Sequence, residues 1–269
     1  GYMATILLAG FACIAIGLTV GLLSGLLGVG GGIIMVPCLT IVLAYQHVPW
    51  SVLLPIVAAT SLAVIALTSS FSFFHYKRRG YEIWDVYSQL LGGLLFGVFL
   101  GVSISVSLHP SLLRVMFGVF LLVVAILLFL PWEPQSKRHL PGRVGMSSIF
   151  FLVGFKSGLF GVGGGLITTP YLLYCNVPAR RAFAIACASS ATIAIAGVAW
   201  FFVLSAVTSP TLPAYTWGYV YWPAFFGIAL VSPWSARYGV RWAHRFSVTT
   251  LRRFLACFIV LAGIDMLIH

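Results

Sequence analysis

The stretch SGLLGVGGGIIMVP at residues 24–37 returns almost unchanged as SGLFGVGGGLITTP at residues 157–170. In both copies a run of glycines interrupts an apolar segment, and a proline follows at the same spacing. Such a duplicated interruption is typical of membrane transporters built from two copies of one unit. Unpaired backbone at membrane depth is tolerated only where it is buried in protein or lines a cavity. The two glycine runs are therefore expected to mark a substrate site.

The composition indicates a protein that lies within a lipid bilayer. Of 269 residues, 61% are hydrophobic and 7% are charged, with a mean hydropathy of +1.09. About a quarter of the residues in a soluble domain are charged. Apolar runs of about 20 residues, each long enough to span a bilayer, recur along the chain. The sequence therefore predicts an all-α polytopic membrane protein. The net charge of +11 is scattered among short loops, which excludes nucleic acid as a partner.

Ten helical segments are predicted, five on each side of a hydrophilic stretch. They cover residues 4–27, 32–45, 50–74, 84–107 and 111–130, then 145–160, 165–175, 179–204, 216–236 and 248–268. Other motifs also return in order, such as Gly80-Tyr81-x-x-Trp84 and Gly218-Tyr219-x-x-Trp222. We interpret the chain as a duplication, with a first repeat at 1–131, a cytoplasmic linker at 132–144 and a second repeat at 145–269.

The basic residues predict the orientation of these segments. Residues 77–79, the linker, residues 180–181 and residues 237–253 hold most of the Lys and Arg, and cytoplasmic loops carry such an excess. The loop after the third segment then lies inside in the first half but outside, at 205–216, in the second. The halves are therefore predicted to be inverted-topology repeats, with both termini periplasmic or extracellular.

In each half the second segment is too short to span the membrane. The first two segments are therefore expected to form a hairpin of short or broken helices with the glycine run at its tip. The two hairpins enter from opposite sides, so their tips can meet. A glycine run also lets backbone N–H groups approach a ligand, and the start of the following helix favours an anion.

The candidate substrate-binding residues surround these tips. Lys156 lies deep in the membrane with no acid near it in sequence, so we expect it either to attract a substrate anion or to snorkel towards the cytoplasm. Nearby hydroxyls either donate to an oxyanion or bond their own helix. The full set is Gly30, Gly31, Gly32, Gly163, Gly164, Gly165, Lys156, Ser24, Ser157, Thr60, Ser61, Ser189 and Ser190.

No catalytic constellation or cofactor site is predicted. The five cysteines lack metal-ligand spacing, and no paired nucleophile and base appears in the sequence. An intramembrane enzyme is accordingly not expected.

The duplicated pattern S-G-L-(L/F)-G-V-G-G-G-x-(I/L)-x-x-P, with Val-Pro and a hydroxyl pair after each copy, resembles the sulfite exporter TauE/SafE family over nearly the whole chain. The resemblance implies a multi-pass secondary carrier of the bacterial inner membrane for a small sulfur-containing anion, such as sulfite, sulfoacetate or another organosulfonate. We expect alternating access around the glycine tips. The alternatives are an anion channel or a carrier of another oxyanion such as thiosulfate. The exact substrate, transport direction, coupling ion and oligomeric state stay open.

Overall fold

The computed structural model describes residues 2–27, 31–130, 139–242, 245 and 247–268, without the side chains of 2–6, 23–27, 239–242, 248 and 251. Within these ranges the chain forms helices joined by short loops, with one two-stranded hairpin. The elements are α1 (Tyr2–Leu27), α2 (Gly32–Tyr45), α3 (Trp50–Arg78), α4 (Trp84–Ser107), α5 (Pro110–Phe129), α6 (Arg143–Phe160), α7 (Gly165–Tyr174), α8 (Ala179–Thr208), β1 (Thr216–Trp217), β2 (Val220–Tyr221), α9 (Trp222–Trp242) and α10 (Val248–Ile268).

The outer surface of the helices is apolar. Phe71, Phe96 and Leu230 are each more than 60% exposed, and many other large apolar side chains accompany them. Apolar patches of this extent are rare on proteins surrounded by water. Within the described ranges, α3, α4, α5, α6 and α8 are each long and apolar enough to cross a membrane. The chain is an all-α polytopic membrane protein, as the sequence predicts.

The helices of the two halves pack in the same way. If α1–α5 are matched in order with α6–α10, each of the main packed pairs corresponds either to another main pair or to itself. The most extensive contacts join α4 to α6 and α1 to α9, which are equivalent pairs under that matching. The next join α5 to α10 and α3 to α8, each of which maps onto itself. This is the pattern that two equivalent halves would produce. The opposite orientation of the halves, and their boundaries at 131 and 145, stay predictions.

Glycines allow the paired helices to approach closely. A Cβ atom on Gly97 of α4 would lie 2.2 Å from the carbonyl oxygen of Phe151 on α6. A Cβ on Gly21 of α1 would lie 2.3 Å from the carbonyl oxygen of Ser232 on α9. In lipid, helices associate mainly by close packing, because apolar burial offers little gain there. These contacts therefore hold the two equivalent pairs together.

The second helix of each half is shorter than the bilayer is thick. α2 has 14 residues and α7 has 10, which correspond to about 21 Å and 15 Å against a hydrocarbon core of about 30 Å. Both helices begin at a glycine run, as expected for hairpin tips. The tips contact the middle of the two longest helices, α3 and α8.

Several predicted boundaries differ notably from the structure. The segment predicted at 216–236 starts with the hairpin β1–β2, and α9 begins only at Trp222. Its helix cannot start earlier because Gly218 and Tyr219 have positive φ angles of 60° and 64°, outside the right-handed helical region. α3 and α8 extend beyond their predicted ends, to Arg78 and Thr208, and α6 begins at Arg143, inside the predicted linker.

Candidate substrate-binding site

The two glycine tips meet in the interior of the protein. A Cβ atom on Gly32 of the first tip would lie 3.1 Å from the backbone nitrogen of Gly163 and 3.4 Å from the Cα of Val162, both in the second tip. The same atom would lie 2.9 Å from the Ile65 side chain of α3. A side chain at Gly32 would therefore require the second tip and Ile65 to shift, so glycine allows the two tips to approach this closely.

The second tip is held in place by hydrogen bonds to its backbone. α6 is followed by Gly161, whose φ of +72° and contact with Ala58 require glycine, since an added Cβ would lie 2.4 Å from the Ala58 Cα. Ser61 of α3 donates to the carbonyl oxygen of Gly161 over 2.8 Å. The N–H of Gly165 donates to the Ser190 hydroxyl of α8 over 3.1 Å. The tip is thus fixed between the two longest helices.

Some polar groups of the second tip are left without a protein partner. Among the described residues, the N–H groups of Val162 and Gly163 have no hydrogen-bond acceptor. The buried Thr168 hydroxyl, in the first turn of α7, also lacks a partner in the described part of the chain. Buried polar groups in proteins are normally paired with protein, water or ligand. The two N–H groups, which lie just before the start of α7, suit an acceptor such as an anion.

A cavity of about 220 Å³ lies where the tips meet. It could hold several water molecules, since each occupies about 30 Å³ in the liquid. Its polar lining consists of glycine backbone, hydroxyls and one thiol, and none of its lining residues is charged. The lining comprises Gly31, Gly32, Ile65, Thr68, Ser69, Ser72, Val162, Gly163, Gly165, Thr169, Phe183, Ala186, Cys187 and Ser190.

The cavity extends from the tips towards one side of the protein. On α3 it follows Ile65 to Ser72, towards the basic residues at 77–79, and on α8 it follows Ser190 back to Phe183, towards Arg180 and Arg181. Ser72 and Phe183 are exposed, so this end reaches the surface. The basic residues place this opening on the predicted cytoplasmic side.

The hairpin β1–β2 packs on the opposite side of the tips. Tyr219 is 3% exposed and Val220 is fully buried. The N–H of Tyr221 donates to the Thr60 hydroxyl of α3 over 3.0 Å. A Cβ on Gly218 would lie 2.5 Å from the Phe202 ring of α8, so the turn is pressed against that helix. The predicted external side is therefore filled by the hairpin.

Lys156 is buried behind the second tip and does not line the cavity. Its side chain is 8% exposed, and its ammonium donates to the carbonyl oxygen of Gly163 over 2.9 Å. Gly163 itself lines the cavity. The lysine charge therefore lies one peptide group away from the space that a substrate would occupy. It does not snorkel to the surface.

The predicted candidates separate into two groups. Gly31, Gly32, Gly163, Gly165 and Ser190 line the cavity, whereas Gly164 lies behind it as the residue that precedes α7. The hydroxyls of Thr60, Ser157 and Ser189 donate to carbonyl oxygens one turn earlier in their own helices, and all three are fully buried. Gly30 and the side chain of Ser24 lie outside the described residues. A substrate-binding role for any of these residues stays a prediction.

Three cavity hydroxyls on α3 were not among the candidates. Thr68, Ser69 and Ser72 lie on the same helix as Ser61, about two to three turns further along. Helical spacing from Ser61 through Ile65 would have found them, since residues three and four apart share one face. Ser69 has no hydrogen bond to another described residue, so its hydroxyl is available to a ligand.

Relatives with similar sequences are named as membrane transporters. A "Probable membrane transporter protein" of Haemophilus influenzae is 27% identical, and the match covers 94% of this chain and 96% of that protein. A protein with a corresponding name from Methanocaldococcus jannaschii is 30% identical over 95% and 94% of the two chains. One from Bacillus subtilis is 28% identical over 60% and 66%. No solved structure matches the chain.

The family comparison covers nearly the whole chain. Residues 13–266 match the family described as "Sulfite exporter TauE/SafE". This range includes both glycine tips, the cavity and the hairpin. The match agrees with the transporter names of the relatives. This multi-pass membrane protein therefore belongs to the sulfite exporter TauE/SafE family, a family of membrane transporters rather than of enzymes.

Proposed function

We propose that the protein is a secondary carrier of a small sulfur-containing anion, such as sulfoacetate, another organosulfonate or sulfite. The observation that carries this proposal is the cavity of about 220 Å³ where the two glycine tips meet. Its uncharged hydroxyl and N–H groups are donors suited to sulfonate or sulfite oxygens. The description of the family supports sulfur as the central atom of the substrate.

The carrier works by alternating access at the tips. In the described conformation the cavity reaches the surface beside the basic residues 77–79 and 180–181, while the hairpin β1–β2 fills the other side. Transport requires a second conformation, in which the hairpin leaves Thr60 and the first side closes. The equivalent segment of the first half, Gly80-Tyr81-x-x-Trp84, lies against the start of α8, where Arg181 donates to the carbonyl oxygen of Glu82, and it would close the open end.

The proposal also includes the orientation of the protein in the membrane. The basic residues favour a cytoplasmic position for the open end of the cavity, so the described state faces inward. The hairpin and both chain termini are then periplasmic, and the membrane is the bacterial inner membrane. The two halves act as inverted repeats, each supplying one glycine tip and one closing segment.

Exchange measurements on reconstituted protein test this function. Proteoliposomes loaded with unlabelled sulfoacetate are diluted into labelled sulfoacetate, and parallel samples compete with sulfite, thiosulfate, taurine or sulfate. A carrier gives saturable uptake driven by exchange, with sulfoacetate or sulfite competing best. A voltage-clamped bilayer containing the same protein should show no large ionic current.

The outcomes separate the candidates. A large anion current without exchange would instead identify a channel. Best competition by thiosulfate or sulfate would change the substrate but not the mechanism. Absence of both exchange and current, from protein that is monodisperse and helical, would contradict the proposal.

A further inference from the structure

Lys156 is a buried cation whose charge is only partly satisfied. Its ammonium can donate three hydrogen bonds. One of these reaches the carbonyl oxygen of Gly163 at 2.9 Å, and no other partner is present among the described residues. The Thr168 hydroxyl in the adjacent α7 is likewise unpaired in that part of the chain. A Cβ on Gly164 would lie 3.6 Å from the Thr168 oxygen, which places this hydroxyl behind the same tip.

No described carboxylate lies near this ammonium. α4 runs parallel to α6, because Gly97 packs at Phe151 and Gly101 at Phe155. Lys156 is thus about level with Val102, and Asp85 at the start of α4 is about 25 Å away along the helix. Asp85 already pairs with Arg181. The other acids are Glu82, which is beside Asp85, and Glu133, which lies outside the described residues. Asp265 is also distant from the buried lysine, since it is exposed on α10, which packs mainly on α5.

The other titratable groups around Lys156 cannot supply a negative charge near neutral pH. α6 packs against α3, α4 and α8, and its aromatic rings also contact α5 and α7. Of these elements, α5 carries Arg114, α7 carries Tyr171 and Tyr174, and α8 carries Arg180, Arg181 and Cys187. The neighbouring stretch 94–102 of α4 and the residues 50–74 of α3 contain no titratable side chain. Tyrosine and cysteine are ordinarily neutral below about pH 8, and arginine is always positive.

An anion in the cavity would provide the missing charge. A cation removed from water is costly unless an opposite charge lies nearby. Gly163 lines the cavity, and its carbonyl oxygen accepts the hydrogen bond of the Lys156 ammonium. A bound anion therefore favours the ammonium, whereas an empty cavity favours the neutral amine. By thermodynamic linkage, binding of the anion and binding of the proton strengthen each other.

We propose that Lys156 is the proton-binding residue that couples the movement of the anion to that of a proton in the same direction. This inference rests on the proposed carrier function and names its coupling ion. The loaded carrier holds an anion together with the Lys156 ammonium. The empty carrier returns with the neutral amine, having released the proton on the same side as the anion. A proton gradient can then drive accumulation of the anion.

Calorimetry on the purified full-length protein tests the coupling. Sulfoacetate is titrated in buffers with different heats of ionisation. Its own acid groups stay ionised between about pH 6 and pH 9, so any proton taken up on binding goes to the protein. The difference in heat between buffers gives the number of protons taken up. For the wild type we expect up to one proton per anion. Affinity should fall as pH rises, by at most about tenfold per pH unit.

Substitutions of Lys156 identify the group responsible. Lys156→Arg keeps a permanent charge, so it should bind sulfoacetate without proton uptake and without this pH dependence. Lys156→Met should bind at least about tenfold more weakly, because it lacks the charge. Lys77→Met, at the exposed end of α3, removes a lysine far from the tips and should take up protons like the wild type.

The possible results distinguish failure of the proton coupling from failure of the carrier function on which it rests. Binding by the wild type without proton uptake overturns the coupling and leaves the carrier function intact. Proton uptake that persists in Lys156→Arg assigns the coupling to another group and overturns the role of Lys156. A folded wild type that binds no sulfonate, sulfite or thiosulfate overturns the proposed function, and the coupling with it.

Discussion

Two adjacent hydroxyls in the middle of α3 join the hairpin β1–β2 to the second glycine tip. The Thr60 hydroxyl accepts from the N–H of Tyr221 in the hairpin, and the Ser61 hydroxyl donates to the carbonyl of Gly161 in the tip. Both side chains are fully buried. A movement of the hairpin away from α3 would therefore break a bond next to the residue that holds the tip. In our account this pair of residues connects closing of the outer side to the shape of the site.

Replacing Thr60 tests this connection. Thr60→Val keeps the shape of the side chain but leaves the N–H of Tyr221 without its acceptor, which should lower the stability of the protein by about 1–3 kcal/mol. Thr60→Ser keeps the hydroxyl and should cost less. The thermal unfolding midpoint in detergent measures the difference. Equal midpoints for the Val and Ser variants would mean that the hydrogen bond contributes nothing.

Replacing a glycine that lines the cavity tests whether the substrate binds there. A Cβ on Gly163 would meet its nearest neighbours, in the Ile65 side chain, at 3.5 Å, so Gly163→Val should fold. Its methyl groups would enter the cavity, and we expect at least about tenfold weaker sulfoacetate binding, equivalent to about 1.4 kcal/mol. Gly92→Val, at an exposed position with no atom within 4 Å of its Cβ, is the control. Unchanged binding by Gly163→Val would place the substrate elsewhere.

The hairpin β1–β2 is the element that distinguishes the two sides of the site. Its turn contains Gly218 and Tyr219, both with positive φ, and a bulky residue such as tyrosine rarely adopts that conformation. Strained conformations persist where the surrounding structure holds them, often in segments that switch. Here the surrounding structure is α3 and the Phe202 ring of α8. This segment is therefore the outer gate in our account.

A pair of matched glycines tests the gate. Gly218→Ala would place a Cβ 2.5 Å from the Phe202 ring, whereas Gly80→Ala, at the equivalent position with a similar φ of +77°, would meet no atom within 4 Å. Both changes strain the backbone, but only the first should displace the hairpin. We expect Gly218→Ala alone to let a thiol reagent reach Cys187 from the outside. Equal protection of Cys187 in both variants would contradict a gate at the hairpin.

At the scale of elements the sequence predicted the helices better than their junctions. The ten apolar segments were recognisable because each helix is long and apolar, and the short α2 and α7 followed from the glycine runs. The sequence predicts a helical segment from residue 216, where the structure has the hairpin instead. Its strands have only two residues each, and the Thr60 hydroxyl that holds Tyr221 is distant in sequence. No local pattern contains that contact.

In the molecule as a whole, the helices of the two halves make equivalent contacts, but the two sides of the site differ. The helix pairs α4–α6 and α1–α9 correspond to each other, yet the cavity lies on one side of the tips and the hairpin fills the other. The sequence revealed the paired tips through duplication. It could not show that Lys156 bonds Gly163, or that the cavity follows α3 to Ser72, because both depend on how distant helices pack.

The inverted arrangement of the halves can be tested with single cysteines. In a cysteine-free background, a cysteine introduced in the loop at residues 77–79 and one introduced at 205–216 should react from opposite sides of the membrane. The basic residues predict that only the second reacts with an impermeant thiol reagent added outside. Reaction of both positions from one side would reject inverted repeats.

Protection of Cys187 by substrate tests the central claim most directly, that the anion binds in the cavity between the tips. Cys187 lines that cavity and is kept as the only cysteine, with Cys13, Cys38, Cys175 and Cys257 replaced. The measurement is its rate of reaction with an impermeant thiol reagent added to inside-out vesicles, with and without sulfoacetate. We predict reaction from the cytoplasmic side and a rate that falls as sulfoacetate saturates the site. A rate that sulfoacetate, sulfite and thiosulfate all leave unchanged would contradict the account.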